Sequence, residues 1–133
     1  MLTELKVKNF AIINEVHIHF KPGFNVLSGE TGSGKSVLLK SLALLMGEKS
    51  HADTIKAGEP EALIEGVFDL KNRPDITSQL KDLSFDNNAE TLIVRRLVCR
   101  DGKNKLYING SLATLHQLKD IVCPLVELAG APL

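Results

Sequence analysis

The 133-residue chain is short of cysteine, carries no charge excess of either sign and has no long apolar run. Each absence excludes something. Its two cysteines, Cys99 and Cys123, sit 24 positions apart, too few for a disulfide scaffold and without the ligand spacing of a zinc site. Reduced thiols in a cytosolic protein are the reading that follows. With 16 basic and 16 acidic side chains the formal net charge is zero, so bulk electrostatics gives no ground for binding nucleic acid or a membrane. Contact with DNA would need a local patch or a larger assembly. The apolar-rich stretch Val37 to Met46 is broken by Lys40 and Ser41 and is too short to cross a bilayer. The first eight residues lack the apolar core of a signal peptide. Repeats, low-complexity tracts and linkers are missing too. What remains is the length and 44% apolar content of one globular domain, residues 1–133, expected in the cytoplasm.

Patterning predicts a mixed α/β order. Residues 2–10 and 15–20 read as strands, the second from the alternation of Val16, Ile18 and Phe20 with polar residues. Lys21-Pro-Gly23 is a turn, and Phe24 to Leu27 a short strand running into a glycine-rich loop. From Lys35 to Met46 the chain reads as a helix apolar nearly all round, hence buried, with Gly47 as its stop. Glu48 to Pro60 shows no period and reads as a loop. A strand over 62–70, a short helix over 75–83 and a turn over 84–89 follow. Thr91 to Arg100 and Lys105 to Asn109 form a hairpin about Asp101-Gly102. Leu112 to Val122 reads as a helix, and Leu125 to Leu128 as a last short strand.

Gly29-Glu-Thr-Gly-Ser-Gly-Lys-Ser36 satisfies G-x-x-x-x-G-K-[ST], the phosphate-binding P-loop. Each position answers a physical demand. Gly29, Gly32 and Gly34 let the backbone curl so that successive N–H groups point at phosphate oxygens, an anion nest to which Glu30, Thr31 and Ser33 contribute main chain. The helix that begins near Lys35 adds unpaired N–H donors and the positive end of its dipole. Lys35 is the catalytic candidate, a point charge for the β- and γ-phosphates, and the Ser36 hydroxyl is a ligand for Mg²⁺. An apolar strand before and an apolar helix after supply the context the motif requires. Two strands and a turn precede the P-loop strand, an arrangement of ATPases with an extra antiparallel sheet and unlike small nucleotide kinases.

Four stretches then carry a resemblance: Leu5-Lys-Val-Lys-Asn-Phe-Ala-Ile-Ile13, the P-loop itself, Arg95-Arg96, and Gly102-Lys-Asn-Lys-Leu-Tyr-Ile-Asn-Gly110. Together they resemble the N-terminal head of the RecN family, bacterial SMC-like ATPases of DNA double-strand-break repair, over essentially the whole chain. The resemblance implies an α/β P-loop NTPase fold, an ABC/SMC-type head lobe with an antiparallel β-subdomain beside a partial parallel core. It implies ATP and Mg²⁺ as cofactors. Its expected partners are the C-terminal lobe of the same head, a second head in a homodimer, and DNA, with no membrane. Signature motif, Walker B acids and a switch histidine belong to that other lobe. No Leu-Ser-Gly-Gly signature, apolar strand ending in Asp-Glu or heptad array occurs in the 133 residues, so the head is expected to be incomplete and inactive alone. In the family a strand like Leu125–Leu128 leads to a glutamine that helps hold Mg²⁺; here Gly130 is followed by Ala131-Pro132-Leu133.

Other candidates have competing readings. Lys8 and Asn9 end the first strand where such heads hold the adenosine, against an ordinary strand-end loop. Arg95, Arg96, Arg100, Lys103 and Lys105 read as a DNA or inter-head contact, against a solvated hairpin edge protected by its charge. His17 and His19 share a strand face, but the sequence shows no third metal ligand near them, so a solvent-facing pair is expected. Rival functions are the head lobe of another SMC-like or RecF-like DNA-binding ATPase and, more distantly, a small P-loop kinase.

Overall fold

The computed structural model describes residues 1–20, 32–86 and 90–129, with the backbone alone for 32–35 and 126–129. Strands β1 (Leu2–Phe10), β2 (Ile13–His19), β3 (Glu61–Asp69), β4 (Thr91–Cys99), β5 (Lys105–Ile108) and β6 (Ser111–Leu112) form one sheet in the order β2-β1-β3-β4-β5-β6. Every pairing in it is antiparallel. This is the expected β-subdomain. The expected Lys21–Gly23 turn and Phe24–Leu27 strand, and with them the expected partial parallel core, fall outside the described residues, as do 87–89.

Period-2 alternation decides which face is covered. Ala62, Ile64 and Phe68 of β3, Leu92, Val94 and Val98 of β4, and Leu106 and Ile108 of β5 are buried. In β1 the alternation runs through Leu5 and Val7 and then slips, because Asn9 takes a positive φ of 54°. Asparagine tolerates that conformation, and the slip sends Phe10 into the core.

Over this face lies α1 (Gly32–Leu45), while α2 (Pro74–Asp82) and α3 (Leu115–Ala129) pack against each other and share the same core. Helix α1 buries Val37, Leu38, Leu42, Leu44 and Leu45, yet Leu39 is at the surface with Lys40, so it is not apolar all round in the way its composition suggests. The buried Ser41 hydroxyl donates to the Leu38 carbonyl at 2.6 Å. Gly66 in β3 is needed for the close approach of this helix. A Cβ there would lie 2.5 Å from Leu45 Cδ1.

Two expected elements are corrected. The chain over 111–112 pairs with β5 as β6, so the last helix starts at Leu115. There the Thr114 hydroxyl accepts from the Gln117 N–H at 3.1 Å, and Gln117 Oε1 accepts from the Thr114 N–H at 2.9 Å, a reciprocal cap. Residues 125–128 are helical, not a strand. Pro124 suggests a break, but Leu118, Ile121, Val122 and Leu125 continue one buried stripe at i, i+3, i+4 and i+7. Packing carries the helix through the proline. No helix among the described residues is long and apolar enough to cross a membrane.

Candidate nucleotide-binding site

Helix α1 begins at Gly32, three residues before the expected start, so the last five residues of the motif lie in it. Gly-Ser-Gly is a poor helix former, which is why composition alone starts the helix later. The first N–H groups of any helix have no partner within it, and here they include those of Gly32, Ser33 and Gly34. No acidic side chain stands in the first turn. Ser36 is exposed. Gly29, Glu30 and Thr31 lie outside the described residues.

The other end of α1 is fixed by four bonds. The Gly47 N–H donates to the Leu44 carbonyl and the Glu48 N–H to the Ala43 carbonyl, at 3.2 and 3.1 Å, while Gly47 takes a φ of 100°. That is the Schellman arrangement, which requires a left-handed residue just past the helix. The buried Arg96, 7% exposed, then donates through Nη1 to the carbonyls of Leu44 and Glu48 at 2.7 and 2.6 Å. A cation on the last carbonyls also complements the negative end of the helix dipole. Burial lowers the Arg96 pKa from its ordinary value, though an arginine stays charged regardless.

Arg96 is therefore not part of a surface patch, and the expected contact role for it is corrected. The sequence signal for its real place was its phase. Arg96 alternates in step with Leu92, Val94 and Val98, the residues of β4 that enter the core.

The segment after α1, read as a loop, contains a short 3-10 turn at Ala52–Thr54. It is held from two sides. The Ala11 N–H donates to the Thr54 carbonyl at 2.6 Å and the Lys56 N–H to the Asn9 carbonyl at 2.8 Å, around a bridge between Phe10 and Ile55. From the hairpin side, Arg100 Nε donates to the Glu59 carbonyl at 2.9 Å and Nη2 to that of Lys56 at 3.2 Å. Arg100 is exposed, but its guanidinium serves the loop backbone. Asn9 also serves it, through its main chain, while Lys8 points away from the core and is exposed.

The five hairpin cations are thus divided. Arg95 is exposed on the uncovered face of the sheet, in register with Glu65 and Tyr107. Lys103 and Lys105 are exposed near the hairpin turn. Lys105 also lines a cleft of about 340 Å³ together with Lys49, Asn104 and Arg96. On the far edge, the structure supplies what the sequence did not show for His17 and His19. Glu4, from the neighbouring strand, lies within bonding distance of both rings.

An antiparallel sheet backed by a helix that carries the end of a P-loop motif at one terminus is the architecture of the lobe of an SMC-type ATPase head. Residues 1–125 match the RecF/RecN/SMC N-terminal domain, and the chain belongs to that family. Among curated relatives, the DNA repair protein RecN of Bacillus subtilis is 35% identical over 98% of this chain and that of Halalkalibacterium halodurans 38% identical over the same share. In both cases the chain spans 23% of the relative's length. Among solved structures, the SMC head domain of Thermotoga maritima is 28% identical, with a TM-score of 0.67 over 90% of this chain and 41% of that one. The likeness is to RecN along the sequence and to SMC heads in three dimensions.

Proposed function

We propose that the chain is the ATP-binding lobe of a RecN-type DNA repair ATPase head. The observation that carries this reading is that the P-loop motif enters α1 at Gly32, with no acidic side chain in the first turn and the opposite end of the helix fixed by Arg96. In this reading the main-chain N–H groups of Gly29 to Lys35 hold the phosphates, Lys35 adds its charge, and Ser36 is the protein ligand to Mg²⁺. The exposure of Ser36 fits that role. When bound with the nucleotide, Mg²⁺ neutralises charge on the phosphate oxygens. Lys8 and Asn9 are proposed to border the adenosine.

Hydrolysis is assigned to the complete head, because signature and Walker B residues are not in this sequence. The proposed partners are the C-terminal lobe, a second head and DNA, with action at the nucleoid in the cytoplasm. A direct DNA or inter-head contact rests on Lys103 and Lys105, with Arg95 on the other face, since Arg96 and Arg100 are engaged by the chain's own carbonyls.

Titration with ATP in the presence of Mg²⁺ tests the reading. The wild-type chain should bind and Lys35→Ala should not within the same concentration range. Equal affinities would refute the assignment. Steady-state phosphate release by this chain should not exceed that of Lys35→Ala, and turnover well above that control would show that the lobe needs no second half.

A further inference from the structure

The edge of the sheet farthest from the hairpin carries three side chains that converge without any role in the nucleotide site. His17 and His19 are alternate residues of β2, so their rings leave the strand on the same face. Glu4 of β1 is directly opposite His19 in register and diagonal to His17, whose own partner is Lys6. Both imidazole Nε2 atoms address the same oxygen, Oε1 of Glu4, at 3.0 and 3.2 Å. The ring centroids are 4.5 Å apart and tilted by 38°. One ligand atom from each of the three residues can be chosen so that all lie within 4.8 Å of one another. Around a tetrahedral ion with bonds of about 2.0–2.2 Å, ligand atoms sit roughly 3.3–3.6 Å apart. Small side-chain rotations, free at this partly exposed edge, bring the trio to that spacing.

We infer that Glu4, His17 and His19 form a surface site for a borderline divalent transition ion, with Zn²⁺ as its reference occupant. Two imidazoles and one carboxylate suit Zn²⁺, Cu²⁺ or Ni²⁺ and do not suit Mg²⁺, which takes oxygen ligands and keeps its waters. The site therefore does not compete for the ion that accompanies ATP. Each histidine binds as neutral imidazole through Nε2, with its proton on Nδ1, and the ion takes the place of the Nε2–H···Oε1 bonds. A fourth position is left to water. Among the described residues strand β2 pairs only with β1, so an ion held by ligands from both strands ties β2 to that neighbour. The ordinary reading of the cluster is a histidine pair hydrogen-bonded to a carboxylate, and the experiment separates the two.

The probe is Zn²⁺ alone, titrated into nucleotide-free protein by calorimetry in a Mg²⁺ buffer, with thermal unfolding as a second readout. Wild type should take up one equivalent that His17→Ala/His19→Ala lacks, and Zn²⁺ should raise the melting temperature of wild type only. Glu4→Gln should weaken binding by at least the roughly 10–100-fold that loss of an outer-sphere partner costs a metal site. His116→Ala, which removes the only other histidine–carboxylate pair among the described residues, should retain the equivalent. A double variant with native circular dichroism and unchanged Zn²⁺ stoichiometry and affinity would overturn the site. If that variant does not fold, unchanged affinity in folded Glu4→Gln and in folded His17→Ala overturns it equally.

Discussion

The two ends of α1 are built in opposite ways. At its C-terminus the carbonyl groups are met by main-chain donors of Gly47 and Glu48 and by the guanidinium of Arg96, which reaches across from β4. At its N-terminus the first-turn N–H groups belong to small residues of the motif, and no acidic side chain stands in that turn. A helix that is to present its positive end to an anion gains from being fixed at the other, since any looseness there is carried along the rigid rod to the ligand. Arg96 acts on the site, in this view, as a positioning residue, about as far from the phosphates as the length of the helix allows.

This contrast is open to perturbation at five positions. Lys35→Ala should have the largest effect and touch one end only. Loss of a charge-assisted contact of about 3 kcal/mol weakens ATP roughly a hundredfold, while urea unfolding stays where it was. Arg96→Ala should act first on folding, with a smaller loss of ATP affinity as the far end of the helix loosens. Removing two hydrogen bonds from a buried charge costs about 2–3 kcal/mol of folding stability, read in the urea midpoint, with Arg96→Lys recovering part of it. If Arg96→Ala leaves stability intact and abolishes ATP binding, the division between anchoring end and binding end is wrong.

Gly66→Val should cost about 1–3 kcal/mol, because the new Cβ would meet Leu45 and push the helix off the sheet. Gly47→Ala is next, at about 1–2 kcal/mol for the left-handed conformation. A Cβ there would also lie 2.5 Å from Lys119 Cγ, which must shift. Exposed Arg100→Ala should stay within about 0.5 kcal/mol, which would distinguish a brace on a surface loop from the buried clamp at Arg96.

The motif, strands β1 to β5 and helix α1 were legible because their signals are local: a loop pattern, period-2 alternation and an apolar run. Leu112 and Leu125–Leu128 were misread for want of tertiary context. A two-residue strand such as β6 has no period to detect, and the proline at position 124 masks a stripe that only the sheet beneath makes necessary. The segment from Glu48 to Pro60 looked featureless since its bonds come from Asn9, Ala11, Arg96 and Arg100, all remote in sequence. Glu4 was invisible as a partner of His17 and His19 for the same reason, as it becomes their neighbour only through the β1–β2 register. Arg96 differs from these cases. Its alternation with Leu92, Val94 and Val98 was in plain sight, but a charged residue at a core phase is easily assigned to the surface.

The strand order carries a consequence for how the chain collapses. Strand β1 pairs on one edge with β2, which follows it at once, and on the other with β3, which begins only at Glu61. Residues 20–60, with the whole motif and α1, are thus a single excursion whose two ends are held by one strand. A local hairpin can form early, but the excursion must close before α1 finds the face it covers. Loop-closure entropy grows slowly, by about 0.6 kcal/mol for each doubling of length. An insertion in an exposed turn between α1 and β3 would therefore add little entropic penalty to closing the sheet.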